Sequence, residues 1–222
     1  MGDYLGDAAA NICAGPYGLI YDFCIEHKWL MRVVARLTWG VDLTPLYSTM
    51  DAISETNAGK TILDIPCGGG VAFRALRPDQ DVRYVAGDLS EEMLKRAKQR
   101  AEERGLGQVE FTLADMQDLP FADGVADLFL SYSGLHMVDD PEAAVREIGR
   151  CLKPGGRLIG CTLLSEGTRR QRALFAIGQR LGHSVPPRIS DLHQWLNAAG
   201  IVNATIEPTR GFAVFRGTKQ VT

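Results

Sequence analysis

Thr61-Ile62-Leu63-Asp64-Ile65-Pro66-Cys67-Gly68-Gly69-Gly70 is the stretch on which the fold turns. Its opening residues, Thr61, Ile62 and Leu63, are β-branched or aliphatic and suit a buried parallel strand. Asp64 stands near the strand's end. Cys67-Gly68-Gly69-Gly70 then removes side chains just where a helix should begin. Consecutive glycines permit positive φ and let backbone N–H groups come close to a ligand. A strand, a glycine-rich turn and a helix N-terminus together make a cradle for a nucleotide-like cofactor. The same loop would also serve as a plain tight βα turn.

Working outward, Asp88 lies twenty residues after Gly68. Val82, Tyr84 and Val85 read as a second strand, and Asp88 falls just past its end. In a doubly wound fold this is where an acid grips ribose hydroxyls. A nicotinamide cofactor is disfavoured by the loop itself. The third glycine of G-x-G-x-x-G allows close helix–strand packing, and here bulky Phe73 takes that place.

Five stretches follow in order: ILDIPCGGG, AGDLSEEML, FTLADMQDLPF, ADLFLSYSGLHMVDDP and LKPGGRLIG. Together they resemble the Rossmann-like (class I) S-adenosylmethionine-dependent methyltransferases, in particular the ubiquinone/menaquinone-biosynthesis branch. The likeness is strong from about Lys60 to Gly160 and weak toward the C-terminus. It implies S-adenosyl-L-methionine as cofactor. It also implies a doubly wound α/β fold, with a mostly parallel seven-stranded sheet, an antiparallel C-terminal hairpin and an N-terminal helical lid. The cofactor residues it implies are Asp64, Pro66, Cys67, Gly68 and Gly70 around the loop, then Asp88, Leu89 and Met93. Asp115 would receive the adenine amino group with Met116 by the ring, and Ser131 and Tyr21 complete the set. Tyr21-Asp22 matches a Tyr-Asp pair that faces the cofactor from the lid in that family. One departure is visible: the family usually has glycine where this chain has Pro66. Proline fixes φ and lacks an N–H, so one backbone donor is missing, which bears on affinity more than on the cofactor's identity.

The length of 222 residues fits one domain with a real core. The net charge of −3 does not suggest general nucleic-acid binding. From Cys161 onward there are eight Lys/Arg against three Asp/Glu, and before it sixteen against twenty-four, so the basic excess lies in the tail. The five cysteines show no C-x-x-C spacing, which favours reduced thiols in a cytoplasmic setting over disulfides or zinc. Acids at Asp3 and Asp7 and the lack of a basic n-region do not read as a signal peptide. No window approaches 18 uninterrupted apolar residues, so no membrane span is expected.

The expected organisation is a single domain, with a helical lid over 1–58, a cofactor-binding core over 59–163, and an inserted helix with the last strand pair over 164–222. Within the lid, Tyr17 to Trp39 suggests an amphipathic helix or two. Pro45 to Glu55 reads as another helix, with Thr44 as cap and Pro45 in its first turn. In the core, Val71 to Leu76 begins the helix after the loop, stopped near Pro78. Ser90 caps Glu91 to Arg104, and Gly105 ends it. Val109 to Leu113 is the third strand and Asp127 to Leu130 the fourth. Asp140 or Asp139 caps Pro141 to Leu152, and Arg157 to Cys161 is the fifth strand. Gly167 to Gly182 reads as an inserted helix and Ser190 as the cap of Asp191 to Ala199. Ile201 to Ile206 and Phe212 to Arg216 form the closing pair.

A sulfonium methyl is already electrophilic, so the protein's task is to bind, align and exclude water. If an O or N acceptor needs a base, the candidates are His136 and Tyr132, just after the fourth strand. A histidine simply packed over the cofactor is the other reading of His136. Arg169 or Arg172 would suit an anionic substrate group, or be a solvated helix face. No metal-ligand spacing is present. The expected partner is a small, apolar or aromatic acceptor, with no nucleic acid, in a monomer or homodimer. Two alternatives remain: a catalytically silent cofactor-binding subunit that needs a partner chain, and a different Rossmann enzyme using NAD(P).

Overall fold

The computed structural model describes residues 33, 35, 36, 44–180 and 184–221. Tyr21 and most of the expected lid, residues 1–32, 34 and 37–43, lie outside them. Val33, Ala35 and Arg36 are helical, with Ala35 buried. Seven strands make one sheet in the order β3-β2-β1-β4-β5-β7-β6. They are β1 (Lys60–Asp64), β2 (Val82–Asp88), β3 (Val109–Leu113), β4 (Ala126–Tyr132), β5 (Leu152–Leu163), β6 (Ile201–Thr209) and β7 (Phe212–Lys219). The first five run parallel, and β7 runs against both β5 and β6. The expected doubly wound fold with its antiparallel hairpin is therefore the observed one.

Strand order reverses between β1 and β4, which places their carboxyl ends side by side. Asp64 pairs with Ala86 of β2 on one flank and Leu130 of β4 on the other. In such sheets the crevice at this switch point is where ligands bind.

The two faces follow from the alternation of side chains along each strand. One face buries Ile62, Tyr84, Leu128, Leu130 and Tyr132 against Leu46, Met50, Ile53 and Phe73. Its helices are α1 (Thr44–Thr49), α2 (Asp51–Ser54) and α3 (Glu91–Glu103). The other buries Leu63, Val85, Phe129 and Phe215 against α4 (Pro141–Cys151) and α6 (Ile189–Ala198), through Val145, Ile148, Leu192 and Leu196. Burial of a side chain such as Leu or Phe contributes about 1.5–3 kcal/mol, so these two layers hold the strand ends in place.

Four local details differ from the sequence expectation. Val71–Ala75 forms a single 3₁₀ turn and not the start of a longer helix, because Pro78 lies too close for an α-helix to develop. The expected helix over Pro45 to Glu55 is broken at Met50 into α1 and α2. There the Thr49 hydroxyl donates to the Leu46 carbonyl at 2.6 Å and competes with the helical ladder. Ser190 is not a cap: α6 starts at Ile189, and Asp191 accepts the Arg188 N–H at 2.9 Å. Finally, β5 begins at Leu152, with a register shift against β4 where Lys153-Pro154-Gly155-Gly156 lies. The caps at Ser90 and Asp140 are as expected: Ser90 Oγ accepts from Met93 N at 3.3 Å and Asp140 Oδ1 from Ala143 N at 2.9 Å. The inserted helix α5 covers Arg169–Arg180.

Candidate active site

The glycine loop leaves β1 and folds back over the end of β2. Gly70 has φ +82°, and a Cβ there would come within 2.5 Å of the Phe73 ring, so the loop packs onto its own 3₁₀ turn. Among the described residues, a Cβ built on Gly68 meets nothing within 4 Å, so they leave the backbone open to approach at that point. Arg100 of α3 donates to the Gly69 carbonyl and fastens the loop from outside. The Ile65–Pro66 peptide bond is cis.

Asp88 closes the loop from below. Its Oδ2 accepts the Gly68 N–H at 2.9 Å and its Oδ1 accepts the Ser90 N–H at 2.9 Å. Each carboxylate oxygen retains a second acceptor site. Burial raises the pKa of Asp88, while the amides of Ser90, Gly68 and Leu89 oppose that rise. Leu89 projects beside it and is exposed, whereas Met93 is buried on α3.

Asp64 sits deeper, 1 % exposed. Tyr84 donates its hydroxyl to Oδ2 at 2.8 Å. Oδ1 is buried and has no hydrogen-bond partner among the described residues. Burial, opposed by Tyr84 and reinforced by the charge of Asp88, pushes the Asp64 carboxyl up to about 7. Burial and the same two acids push the Cys67 thiol well up, so it stays neutral.

The turn after β3 brings Asp115 and Met116 to the same crevice. Gln117 holds Asp115: its backbone N–H donates to Oδ1 at 2.9 Å and its side-chain amide donates to Oδ1 at 3.1 Å. The Gln117 side-chain oxygen Oε1 also accepts the Asp140 N–H at 2.8 Å, tying this turn to the start of α4. Gly134, after β4, touches both neighbours. A Cβ there would meet Pro66 at 2.5 Å and the Met116 sulfur at 2.6 Å. The loops after β1, β3 and β4 are thus in direct contact.

At the end of β4, Ser131 is fully buried, and its hydroxyl has no partner among the described residues. The Tyr132 hydroxyl lies 3.2 Å from Thr49 Oγ1, and burial raises its pKa far above the usual tyrosine range. His136 is half-buried. Its Nδ1 accepts the Leu163 N–H at 3.3 Å and lies 3.2 Å from Thr162 Oγ1. These partners assign the ring proton to Nε2, and loss of water around the ring draws its pKa down to about 4. The His136 carbonyl accepts from Ser184 Oγ at 3.0 Å, which brings the loop before α6 over this turn. Exposed Met137 and Val185 lie on these two segments.

The structure therefore gathers Asp64, Pro66, Cys67, Gly68, Gly70, Asp88, Leu89, Asp115, Met116, Ser131, Tyr132 and His136 at one end of the sheet. Sequence reading missed Tyr84, Thr49, Arg100 and Gln117, which hold these residues. Tyr84 looked like an ordinary strand residue, and its only signal was a polar hydroxyl in an otherwise apolar run. Among the described residues no group of three or more His, Cys, Asp or Glu is arranged for a metal, and no helix is long and apolar enough to cross a membrane.

The fit of this site to an adenosyl amino-acid cofactor can be judged from the side chains. The open backbone at Gly68, the acid at the end of β2 and the unpartnered buried oxygen of Asp64 suit a ligand with hydroxyls and a cationic donor. Comparison with known proteins agrees. Residues 63–160 match the methyltransferase domain family. The chain is 40 % identical over 130 residues to a demethylmenaquinone methyltransferase of Clavibacter sepedonicus, covering 59 % of this chain and 51 % of that protein. It is 34 % identical over 116 residues to a malonyl-[acyl-carrier protein] O-methyltransferase of Hahella chejuensis, covering 52 % and 40 %. The chain thus spans about half the length, or less, of these curated relatives. A phosphoethanolamine N-methyltransferase of Haemonchus contortus, solved with S-adenosyl-L-methionine, shares the fold with a TM-score of 0.67 at 16 % identity, over 78 % of this chain and 53 % of that one. By its matched domain, its ordered motifs and its strand order, the chain carries over residues 63–160 a methyltransferase domain similar to those of the class I S-adenosylmethionine-dependent methyltransferases.

Proposed function

We propose that the protein transfers the methyl group of S-adenosylmethionine to a small, apolar or aromatic acceptor. The observation that carries this is the strand-end crevice, where the Gly68 loop, Asp88 and Asp115 converge within the matched domain. In this reading Asp88 accepts the ribose hydroxyls, Asp115 the adenine amino group, and Met116 and Leu89 flank the ring. Pro66, Cys67, Gly68, Gly70, Met93 and Ser131 shape the rest of the cradle, and Tyr21 closes it from the lid. The cofactor supplies an electrophilic methyl, and the chain supplies alignment, which can account for about 7–11 kcal/mol of the barrier.

The acceptor enters beside β4 and β5, because the cofactor loops occupy the ends of β1, β2 and β3. There the rim is Met137, Val185 and half-buried Val138. Tyr132 is pushed toward its neutral form, and His136 already has an amide on Nδ1. His136 then acts as a neutral group that orients the acceptor, with its Nδ1 already taken by the Leu163 amide. This favours an acceptor atom that is nucleophilic without a strong protein base. Arg169 and Arg172, exposed on α5, suit an acid group on that acceptor. The relatives named above act on a demethylmenaquinone and on a malonyl group of a carrier protein, two different acceptor chemistries. The test is release of S-adenosylhomocysteine across an acceptor library that includes quinol-like and aromatic acids. Turnover with an apolar acceptor is expected; tight NAD binding with no S-adenosylhomocysteine binding would overturn the reading.

A further inference from the structure

Arg150, in the last turn of α4, is bonded through every donor of its side chain. A guanidinium has five N–H groups, and here five acceptor atoms surround it. Nε and Nη2 donate to the two oxygens of Glu147 at 2.8 and 2.7 Å. Nη1 donates to the Phe121 carbonyl at 2.7 Å and to Asp123 Oδ1 at 2.8 Å, and Nη2 to the Leu119 carbonyl at 3.0 Å. Glu147 Oε2 in turn accepts the Leu119 N–H at 2.9 Å, and the Arg150 carbonyl accepts the Gly124 N–H at 2.9 Å. The segment from Leu119 to Gly124 is therefore bound to the end of α4 chiefly through its main chain. The Arg150 and Glu147 side chains are 29 % and 13 % exposed, so water does little to screen the pair. Arg150 accordingly holds the Glu147 carboxyl below its usual range.

This segment continues the turn that carries Asp115 and Met116. The other side of the turn is tied to the start of the same helix, because Gln117 Oε1 accepts the Asp140 N–H at 2.8 Å and Asp140 caps α4. Between the two ties, Met116 and Leu119 are buried in one cluster with Val145 and Ile148 of α4. A single helix thus sets the turn from both ends. We propose that Arg150 is a positioning residue for the adenine end of the site: by pinning residues 119–124 to α4 it fixes the Asp115 carboxylate where the cofactor's amino group meets it. The inference rests on the cofactor reading above. Arg150 acts through Asp115, and no bond to the ligand is asked of it. Precision is the reason such a pin matters, since a displacement of about 1 Å can cost roughly a hundredfold. Lysine would not replace it, because an ammonium has three donors and no planar fork.

The experiment compares two ligands on the full chain by calorimetry: S-adenosylhomocysteine, and S-inosylhomocysteine, in which oxygen replaces the adenine amino group. The unaltered protein should prefer the first by about tenfold or more, as for a hydrogen bond to a charged group. Arg150→Lys should weaken the adenine ligand about tenfold and leave the inosine ligand within about twofold, so the preference collapses. Asp127→Ala, which removes ion pairs at the other end of the sheet, should keep the preference whole. A change that merely destabilises the fold would therefore not imitate the result. Glu147→Gln keeps the side-chain shape and should move the preference the same way by a smaller factor, which decides the matter if Arg150→Lys does not fold. Hydrogen exchange of the unaltered chain needs no variant: the Leu119 amide should open together with the amides of α4 and not before them. Equal weakening of both ligands, an unchanged preference in both variants, or a Leu119 amide that opens well before α4 would each overturn the inference while leaving the cofactor reading intact. A preference missing from the unaltered protein, or no S-adenosylhomocysteine binding at all, would instead remove the reading on which it rests.

Discussion

Asp64 and Asp127 stand on neighbouring parallel strands at opposite ends of one sheet, and their carboxyls are pushed in opposite directions. Asp127, at the start of β4, accepts Lys60 at 2.9 Å, Lys153 at 2.6 Å and the Thr61 amide at 3.0 Å. Partial burial would raise its pKa, but Lys153, the Thr61 amide and Lys60 outweigh this and bring it to about 2. Asp64 is more deeply buried, has one hydroxyl partner and no cation beside it among the described residues, and rises to about 7. The chain itself completes the charge at the amino ends of the strands and leaves it incomplete at the carboxyl ends. Stability is built at one end of the sheet, and readiness for a ligand is kept at the other.

This contrast can be broken most sharply through the pH dependence of stability. The folded pKa of Asp64 lies above its unfolded value, so its contribution is fully present below about 4 and is lost as pH rises through about 7. The cofactor-free protein should lose about 2–4 kcal/mol from this group between about pH 4 and about pH 8. Urea unfolding at stepped pH should show that slope in the unaltered chain and a flatter one in Asp64→Asn. Equal slopes would mean that the carboxyl is not the buried acid described.

The second acid of the crevice sets the next effect. Asp88→Ala strips the Gly68 and Ser90 amides of their acceptor. Affinity for S-adenosylhomocysteine should fall by roughly 1.5–3 kcal/mol, the range for hydrogen bonds to a charged group. The thermal transition should remain cooperative. Unchanged affinity would remove Asp88 from the site.

At the other end the signs reverse. Asp127→Ala should cost about 1–2 kcal/mol of stability at neutral pH, less than the full pKa shift implies, because its lysines are nearly half exposed. The folded pKa is depressed, so this stability is present above about 4 and disappears as pH falls toward about 2. Cofactor affinity should not change; if it does, the two ends are coupled and the contrast fails. The smallest effect belongs to the arginines of α5. Arg169→Ala and Arg172→Ala should alter stability by less than about 0.5 kcal/mol. A raised KM confined to acceptors with an acid group would assign them to the substrate; uniform kinetics would leave them as surface.

Much of this architecture can be read from the chain in advance, and the reason is local. The runs at 61–63, 82–85, 109–113 and 127–130 are short and rich in β-branched or large apolar residues, and an acid follows each of the first three within three residues, marking where the strand stops. Asp88 is legible because its spacing from Gly68 reflects one βαβ unit. The partnerships are not legible. Lys60 and Asp127 are 67 residues apart, and Thr49 and Tyr132 are 83 apart; only the sheet order brings them together. Tyr84 was hidden for a different reason. A tyrosine in an apolar strand looks like core, and its function depends on which face of β2 it takes relative to Asp64. The break at Met50 came from one threonine hydroxyl taking a carbonyl from the helical ladder, a competition that helix propensity does not register.

Gly134 has a consequence for how this sequence can drift. It touches Pro66 on one side and Met116 on the other, at distances where no Cβ fits. Residues 66, 116 and 134 therefore share one fixed volume. A lineage that enlarges one of them must shrink another in step, so the three positions should vary together or not at all. Pro66 is then fitted to its neighbours across the crevice, and glycine in its place would open a gap beneath Gly134.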